Sequence, residues 1–188
     1  MRKPDPTPGK LRIIGGSLRG SRLEIPPVPG LRPTPDRVRE TLFNWLAPVI
    51  EGAQCLDLFA GTGALGIEAL SRGAGSVHFV EADAKLAELL RGNLTRLKQD
   101  PAVFRAQAQT FLASSAACYD IVFLDPPFAA DWWVPAAQAL LEHGRLKPAA
   151  WLYVESPAQQ AIELPAQFRL HREGHAGAVR YALYRRFG

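Results

Sequence analysis

Between residues 54 and 155 the chain alternates short apolar runs with amphipathic stretches, and this alternation restricts the fold more than any other feature. The apolar runs, at 55–59, 77–81, 103–106, 121–124 and 151–155, have the length of strands. Helices are expected between them at 64–71, 84–98 and 132–143. In the second, Leu86, Leu89, Leu90, Leu94 and Leu97 recur at helical spacing behind Asp83, whose side chain can cap a first turn. Strands that are apolar along their whole length need cover on both faces, and intervening helices supply it. That combination is an α/β fold, a mostly parallel, doubly wound, Rossmann-like sheet. The end of the chain departs from it: 168–172 and 179–185 flank a glycine-containing break and read as an antiparallel hairpin.

The leader has a different character. Residues 1–10, with Pro4, Pro6, Pro8 and Gly9, are expected as a disordered basic tail. Residues 11–50 read as an extension, with segments 11–14 and 22–25 pairing as a hairpin arm around Gly15-Gly16-Ser17. Thr34 is placed as the cap of a following helix with Pro35 in its first turn. Val38, Leu42, Trp45, Leu46 and Val49 form that helix's apolar stripe. Its polar side, Arg37, Glu40 and Asn44, is expected to border the active cleft. Residues 51–188 then form the main domain. Residues 1–39 hold nine Lys or Arg against three acids, a net of +6 in a chain of net +4, so the remainder sums to −2. On charge alone this is either a polyanion-facing extension or a solvated terminus. No apolar run approaches the ~18 residues of a membrane span, and no secretory leader opens the chain, so a cytoplasmic protein is expected. Cys55 and Cys118 read as buried reduced thiols, and neither has partners at metal-ligand spacing, so no metal is expected.

The segment from Leu56 to Gly66, LDLFAGTGALG, runs from a strand into a helix. Its glycines let the backbone turn sharply beside a ligand. Gly61, Gly63 and Gly66 match the dinucleotide fingerprint, with Glu81 about 20 residues on to hold ribose hydroxyls, so a nicotinamide dehydrogenase competes at this point. Asp57 argues against it. A carboxylate just before the loop would repel a pyrophosphate but favour the cationic amino group and sulfonium of S-adenosylmethionine. The candidate cofactor contacts are therefore Asp57, Phe59, Gly61, Thr62, Gly63 and Glu81. Gln107, after the third strand, is either a reader of the adenine edge or a surface residue.

Asp125-Pro126-Pro127-Phe128 sits at the carboxyl end of the 121–124 strand, where doubly wound sheets hold ligands. An exocyclic base amine is a poor nucleophile because its lone pair is delocalised into the ring. Two acceptors aimed at its hydrogens, the Asp125 carboxylate and the Pro126 carbonyl, can turn the lone pair toward a methyl donor. Pro127 holds Pro126 extended, and Phe128 offers a face for a splayed-out base, worth roughly 1–3 kcal/mol. The candidate catalytic residues are Asp125, Pro126 and Phe128. Hydride transfer has no use for this turn. Of Trp132 and Trp133, a core role is expected for at least one, with the other available to line a base pocket. His171 and His175 are expected on the surface of the terminal hairpin.

With these motifs assembled, the sequence resembles the bacterial 16S ribosomal RNA guanine-N2 methyltransferases of the RsmD family. The resemblance is carried by Arg12-Ile13-Ile14-Gly15-Gly16, Arg19-Gly20, the segment from Leu31 to Leu46, the glycine loop, Asp125 to Phe128, and Tyr153-Val154-Glu155. It implies a seven-stranded S-adenosylmethionine-dependent fold whose last strand is antiparallel, and transfer to N2 of one guanosine in 16S rRNA. It further implies a basic leader that grips RNA, with Arg12, Arg19, Arg22, Arg32, Arg37 and Arg39 as candidate contacts. The chain has no large added RNA-binding domain, so a monomer acting on a small-subunit assembly intermediate is expected. A DNA adenine-N6 methyltransferase and a non-catalytic, cofactor-binding ribosome assembly factor remain as alternatives; the first lacks room for a target-recognition domain.

Overall fold

The computed structural model describes residues 9–28, 31, 33–100 and 102–188. A small hairpin comes first, β1 (Gly9–Arg12) with β2 (Arg22–Ile25), followed by α1 (Asp36–Leu46). The alternating body follows: β3 (Gln54–Asp57), α2 (Ala64–Ser71), β4 (Ser76–Glu81), α3 (Ala84–Arg96), β5 (Val103–Arg105), α4 (Ala108–Ser114), β6 (Tyr119–Leu124), α5 (Trp133–Glu142) and β7 (Leu146–Pro157). It closes with β8 (Phe168–Ala176) and β9 (Val179–Arg186). The last seven strands form one sheet in the order β5-β4-β3-β6-β7-β9-β8. Its first five strands in that order run parallel, and β9 runs antiparallel to both β7 and β8.

Two apolar layers cover this sheet. On one face Phe79, Phe123, Tyr153 and Leu183 pack under α2, α3 and α1, and the arm's Leu11, Ile13 and Leu23 join the same cluster. On the other, Leu56, Val122, Leu124 and Leu152 pack under α4 and α5, with Trp133 fully buried. Val38, Leu42 and Leu46 of α1 are buried as their spacing requires, while Trp45 and Val49 lie at the cluster's edge. The extension therefore shares the main core. Gly9 and Lys10, expected in a tail, are the first residues of β1; residues 1–8 lie outside the described residues, and the tail expectation with them.

Asp83 caps α3 as expected, accepting from the Lys85 and Leu86 amides. Thr34 does not cap α1. The capping position falls on Pro35, and the Thr34 hydroxyl donates 2.9 Å across the fold to Glu155 Oε2. The terminal hairpin is longer than the sequence suggests, because strand pairing continues to Ala176↔Val179 and leaves Gly177-Ala178 as the turn. His171 and His175 are exposed on it, as expected. Cys55 is buried, but Cys118 is only half-buried, its thiol donating to the Gly144 carbonyl.

Candidate active site

Strand order reverses between β3 and β6, whose carboxyl ends lie side by side with Asp57 registered on Phe123. A ligand crevice is expected at such a switch point. A cleft of about 990 Å³ opens there, walled by the β3–α2 loop, Glu81, the segment Gln107 to Thr110, the turn Asp125 to Ala130, and Glu155.

The glycine loop owes its shape to two backbone demands. Gly61 and Gly63 have φ of +52° and +79°, where an L side chain is strained. A Cβ on Gly66 would come within 2.2 Å of Phe79 Cε1, so its absence lets α2 settle on β4. Two carboxylates then fasten the loop. Asp57 Oδ2 accepts from the Gly66 amide at 3.0 Å, and Glu81 Oε2 accepts from the Gly61 amide at 2.8 Å. Asp57, Phe59, Gly61, Thr62 and Glu81 line the cleft. Gly63, between the cleft-lining Thr62 and Ala64, donates its amide to the Ala60 carbonyl and leaves no room for a Cβ against Leu90, so it shapes the loop. Gln107 is exposed at the cleft edge, at the start of α4.

Asp125, Pro126 and Phe128 come together at the end of the neighbouring strand β6 and line the same cleft. Phe128 is half-buried, its ring centroid 6.0 Å from that of Trp133. Trp133 is core, with Nε1 donating to the Glu155 carbonyl at 2.7 Å, whereas Trp132 lines the cleft. The electrostatics of this wall are unusual. Burial lifts the Asp125 carboxyl well above the usual carboxylate range, and the neighbouring Glu155 and then Asp57 raise it further. Burial likewise lifts Asp57 to about 7, against the pull of the Gly66 amide and with a smaller push from Glu81. Tyr153 is driven far up by burial, then by Glu155 and Asp125, so its hydroxyl stays protonated and donates to Glu155 Oε2 at 3.0 Å. Acidic groups crowded into a partly dry cleft are stabilised by a cationic ligand.

Several wall residues carried no site role in the sequence. Glu155 is buried and accepts from both Thr34 and Tyr153. Leu31, Pro33, Thr34 and Pro35 close the cleft from the leader, and the β8–β9 turn contributes Gly177 and Ala178. The polar side of α1 does not border the cleft as expected; the segment ahead of the helix does. Glu155 stands in a stretch shared with the family, but nothing local tells that its partner lies 121 residues away.

The expected RNA contacts divide. Arg12, Arg19, Arg22 and Arg37 are exposed or half-exposed, and Arg32 lies outside the described residues. Arg39 cannot touch RNA. It is fully buried, its Nη1 paired with Glu68 at 3.4 Å, its Nη2 with Asp36 at 2.6 Å, and its Nε donating to the Thr34 carbonyl. Burial lowers its pKa, and Glu68 and then Asp36 oppose that loss. Glu68 is a hub: it also accepts from the Ile14 and Gly15 amides and from Arg72, fastening the arm to α2.

The sheet order, the single antiparallel strand and the glycine-loop cleft define a class I S-adenosylmethionine-dependent methyltransferase fold. That fold recurs in a Thermus thermophilus 16S rRNA N2 G1207 methyltransferase solved with AdoMet and guanosine, at 22% identity and a TM-score of 0.68 over 96% of this chain and 50% of that one. A family model described as Conserved hypothetical protein 95 matches residues 11–185. The chain is 49% identical over 189 residues to Ribosomal RNA small subunit methyltransferase D of Escherichia coli K12, across 99% of this chain and 96% of that protein. It matches the solved putative methyltransferase yhhF from Escherichia coli with a TM-score of 0.87 and 47% identity, over 95% and 98% of the two chains. The chain belongs to the family of ribosomal RNA small subunit methyltransferase D.

Proposed function

We propose that this protein transfers a methyl group from S-adenosylmethionine to the exocyclic N2 of one guanosine in the RNA of the small ribosomal subunit. The observation that carries the reading is that Asp125-Pro126-Pro127-Phe128 and the Asp57–Glu81 loop assembly line one cleft. The residues present suit this cofactor. Asp57 and its acidic neighbours favour a cationic amino acid moiety, Glu81 stands where a ribose diol needs acceptors, and Gln107 is at the far edge of the same wall. When bound, S-adenosylmethionine supplies a methyl group already activated by its sulfonium.

The chain's own part is positioning and proton handling. Asp125 and the Pro126 carbonyl accept from the base amine's hydrogens and direct its lone pair, while Phe128 and Trp132 give the splayed-out base flat surfaces. After transfer the nitrogen sheds a proton, and the Asp125 carboxylate, whose proton affinity the cleft raises, is the adjacent acceptor. Arg12, Arg19, Arg22 and Arg37 serve the RNA backbone, as does Arg32. We further propose that it acts as a monomer in the cytoplasm, on an assembly intermediate of the small subunit.

The choice of guanine N2 over adenine N6 rests on the family resemblance through the 31–46 segment, since the tetrapeptide serves either amine. Mass mapping of 16S rRNA from a strain lacking this protein tests it. One guanosine should lose a methyl group and regain it with the wild-type chain but not with Asp125→Ala. A lost methyl on adenine, or an unchanged map, would sink the proposal.

A further inference from the structure

Away from the cleft, the terminal hairpin carries a cluster that the catalytic reading does not use. Trp151 on β7, Arg185 on β9 and Arg169 on β8 lie in one row across three adjacent strands. Arg185 lies over the Trp151 ring at 5.4 Å and over Phe187 at 5.7 Å, and Arg169 lies over Phe187 at 4.6 Å. The His171 ring meets the edge of Trp151 at 4.9 Å. Arg169, His171, Arg172, Arg185 and Phe187 are all exposed.

A register shift concentrates the charge. The pairing of β8 with β9 steps between Leu170 and Arg172, so one extra residue enters β8 at His171. Strict alternation from Arg169 would place Glu173 on the same face. With the bulge, Arg172 faces that side instead, registered on Leu183, and Glu173 turns to the opposite face, registered on Ala182. There Arg180 takes it up at 2.6 Å. The fold thus gathers three guanidiniums on one face of the sheet and moves the strand's carboxylate off it.

This face leads to the cleft. From Arg185 the β9 positions on the same side run through Leu183 and Tyr181, both buried beneath α1, to Val179 at the cleft wall, roughly 20 Å at ~3.4 Å per residue, so the exposed route between cluster and cleft crosses α1. Trp45 of α1 stacks on Tyr181 at 5.5 Å, and Thr41 and Arg37 precede it at helical spacing on the same side of α1. We infer that the α1–β8 face ending in Arg169, Arg172 and Arg185 is a second RNA-contact surface, holding the strand that leads to or from the target nucleotide. Guanidiniums laid on aromatic rings are preorganised to meet phosphates and to stack on unpaired bases. The inference rests on the reading of RNA as the substrate.

The test is the triple variant Arg169→Gln/Arg172→Gln/Arg185→Gln, measured with small subunits from a strain lacking the protein and with protein-free 16S rRNA. Loss of about three phosphate contacts should flatten the slope of log affinity against log salt by about 2, with affinity down roughly tenfold for both substrates. In methyl transfer KM should rise while kcat stays. Arg172→Gln alone, at a position without a ring contact, should give a proportionate part of the slope change if the triple variant melts early. An unchanged salt slope overturns the inference. So does loss of affinity for subunits but not for protein-free RNA, which would assign the face to a ribosomal protein. Wild-type transfer in the same assay separates this failure from failure of the catalytic reading itself.

Discussion

Glu68→Ala should destabilise the protein far more than an ordinary helix substitution. Glu68 is fully buried and accepts from four donors: the Ile14 and Gly15 amides, Arg39 and Arg72. Removing it leaves Arg39, itself fully buried, with the half-exposed Asp36 as its one anionic partner among the described residues, and strands two arm amides. Breaking a buried pair from one side costs about 3–5 kcal/mol. The orphaned amides add to this, although fraying of the arm lets water reach them and limits the addition. For a domain of this size each kcal/mol shifts Tm by roughly 2–4 °C, so a loss of about 4 kcal/mol lowers Tm by roughly 8–16 °C. Thermal unfolding followed by circular dichroism reads the shift, and amide exchange at Ile14 and Gly15 should accelerate before the sheet opens. Glu68→Gln, which keeps the shape and one acceptor oxygen, should fall between. A Tm within about 3 °C of wild type for Glu68→Ala, with the arm still protected, would refute the hub.

Asp125→Ala should abolish methyl transfer while the variant still folds and binds S-adenosylmethionine; calorimetry paired with the transfer assay checks both, and wild-type-like activity would defeat the mechanism. Asp57 links cofactor binding to pH. In the ligand-free fold its pKa stands at about 7, above the roughly 4 of an unfolded aspartate, so the folded state holds a proton that the unfolded state releases. Its contribution to stability is therefore greatest below about pH 4 and declines as pH rises through 7. A cationic cofactor pulls the pKa back down, so binding near pH 6.5 should release protons and tighten as pH rises; titrations in buffers of different ionisation enthalpy should show this, and Asp57→Asn should remove it. Gly66→Ala places a Cβ against the buried Phe79 ring and should cost roughly 1–3 kcal/mol, read as a lower Tm and weaker cofactor binding.

The alternation of strands and helices was legible because fully covered strands carry their signal in four to six consecutive residues. Elements whose identity depends on context were not. The seven residues of α4 have only Phe111 and Leu112 as large buried apolar groups, and no side chain caps the helix, so 108–114 offers no helical stripe to read. β7 begins at Leu146, ahead of its apolar run, where Pro148 argues against a strand; the register against β6 slips there and Ala149 sits at φ +58°. The cofactor loop and catalytic turn were readable because their chemistry is local. Arg39 was misread for the opposite reason: a cation within a basic leader looks solvated, and only the fold brings Glu68, 29 residues away, to meet it.

That misreading bears on how the leader works. Arg39 ties α1 to Glu68, and Glu68 lies on α2, the helix that begins directly after the cofactor loop. The same carboxylate holds the arm's Ile14 and Gly15, while Thr34 just ahead of α1 reaches Glu155 beside Asp125. Leu31 and Pro33 are themselves part of the cleft wall. A force on the arm is therefore carried to the cofactor loop through α2 and to the catalytic wall through Thr34. RNA gripped at Arg12, Arg19 or Arg22 would press on surfaces that shape both halves of the site. Substrate recognition and site assembly would then use the same contacts, and weakening the arm should lower kcat as well as raise KM.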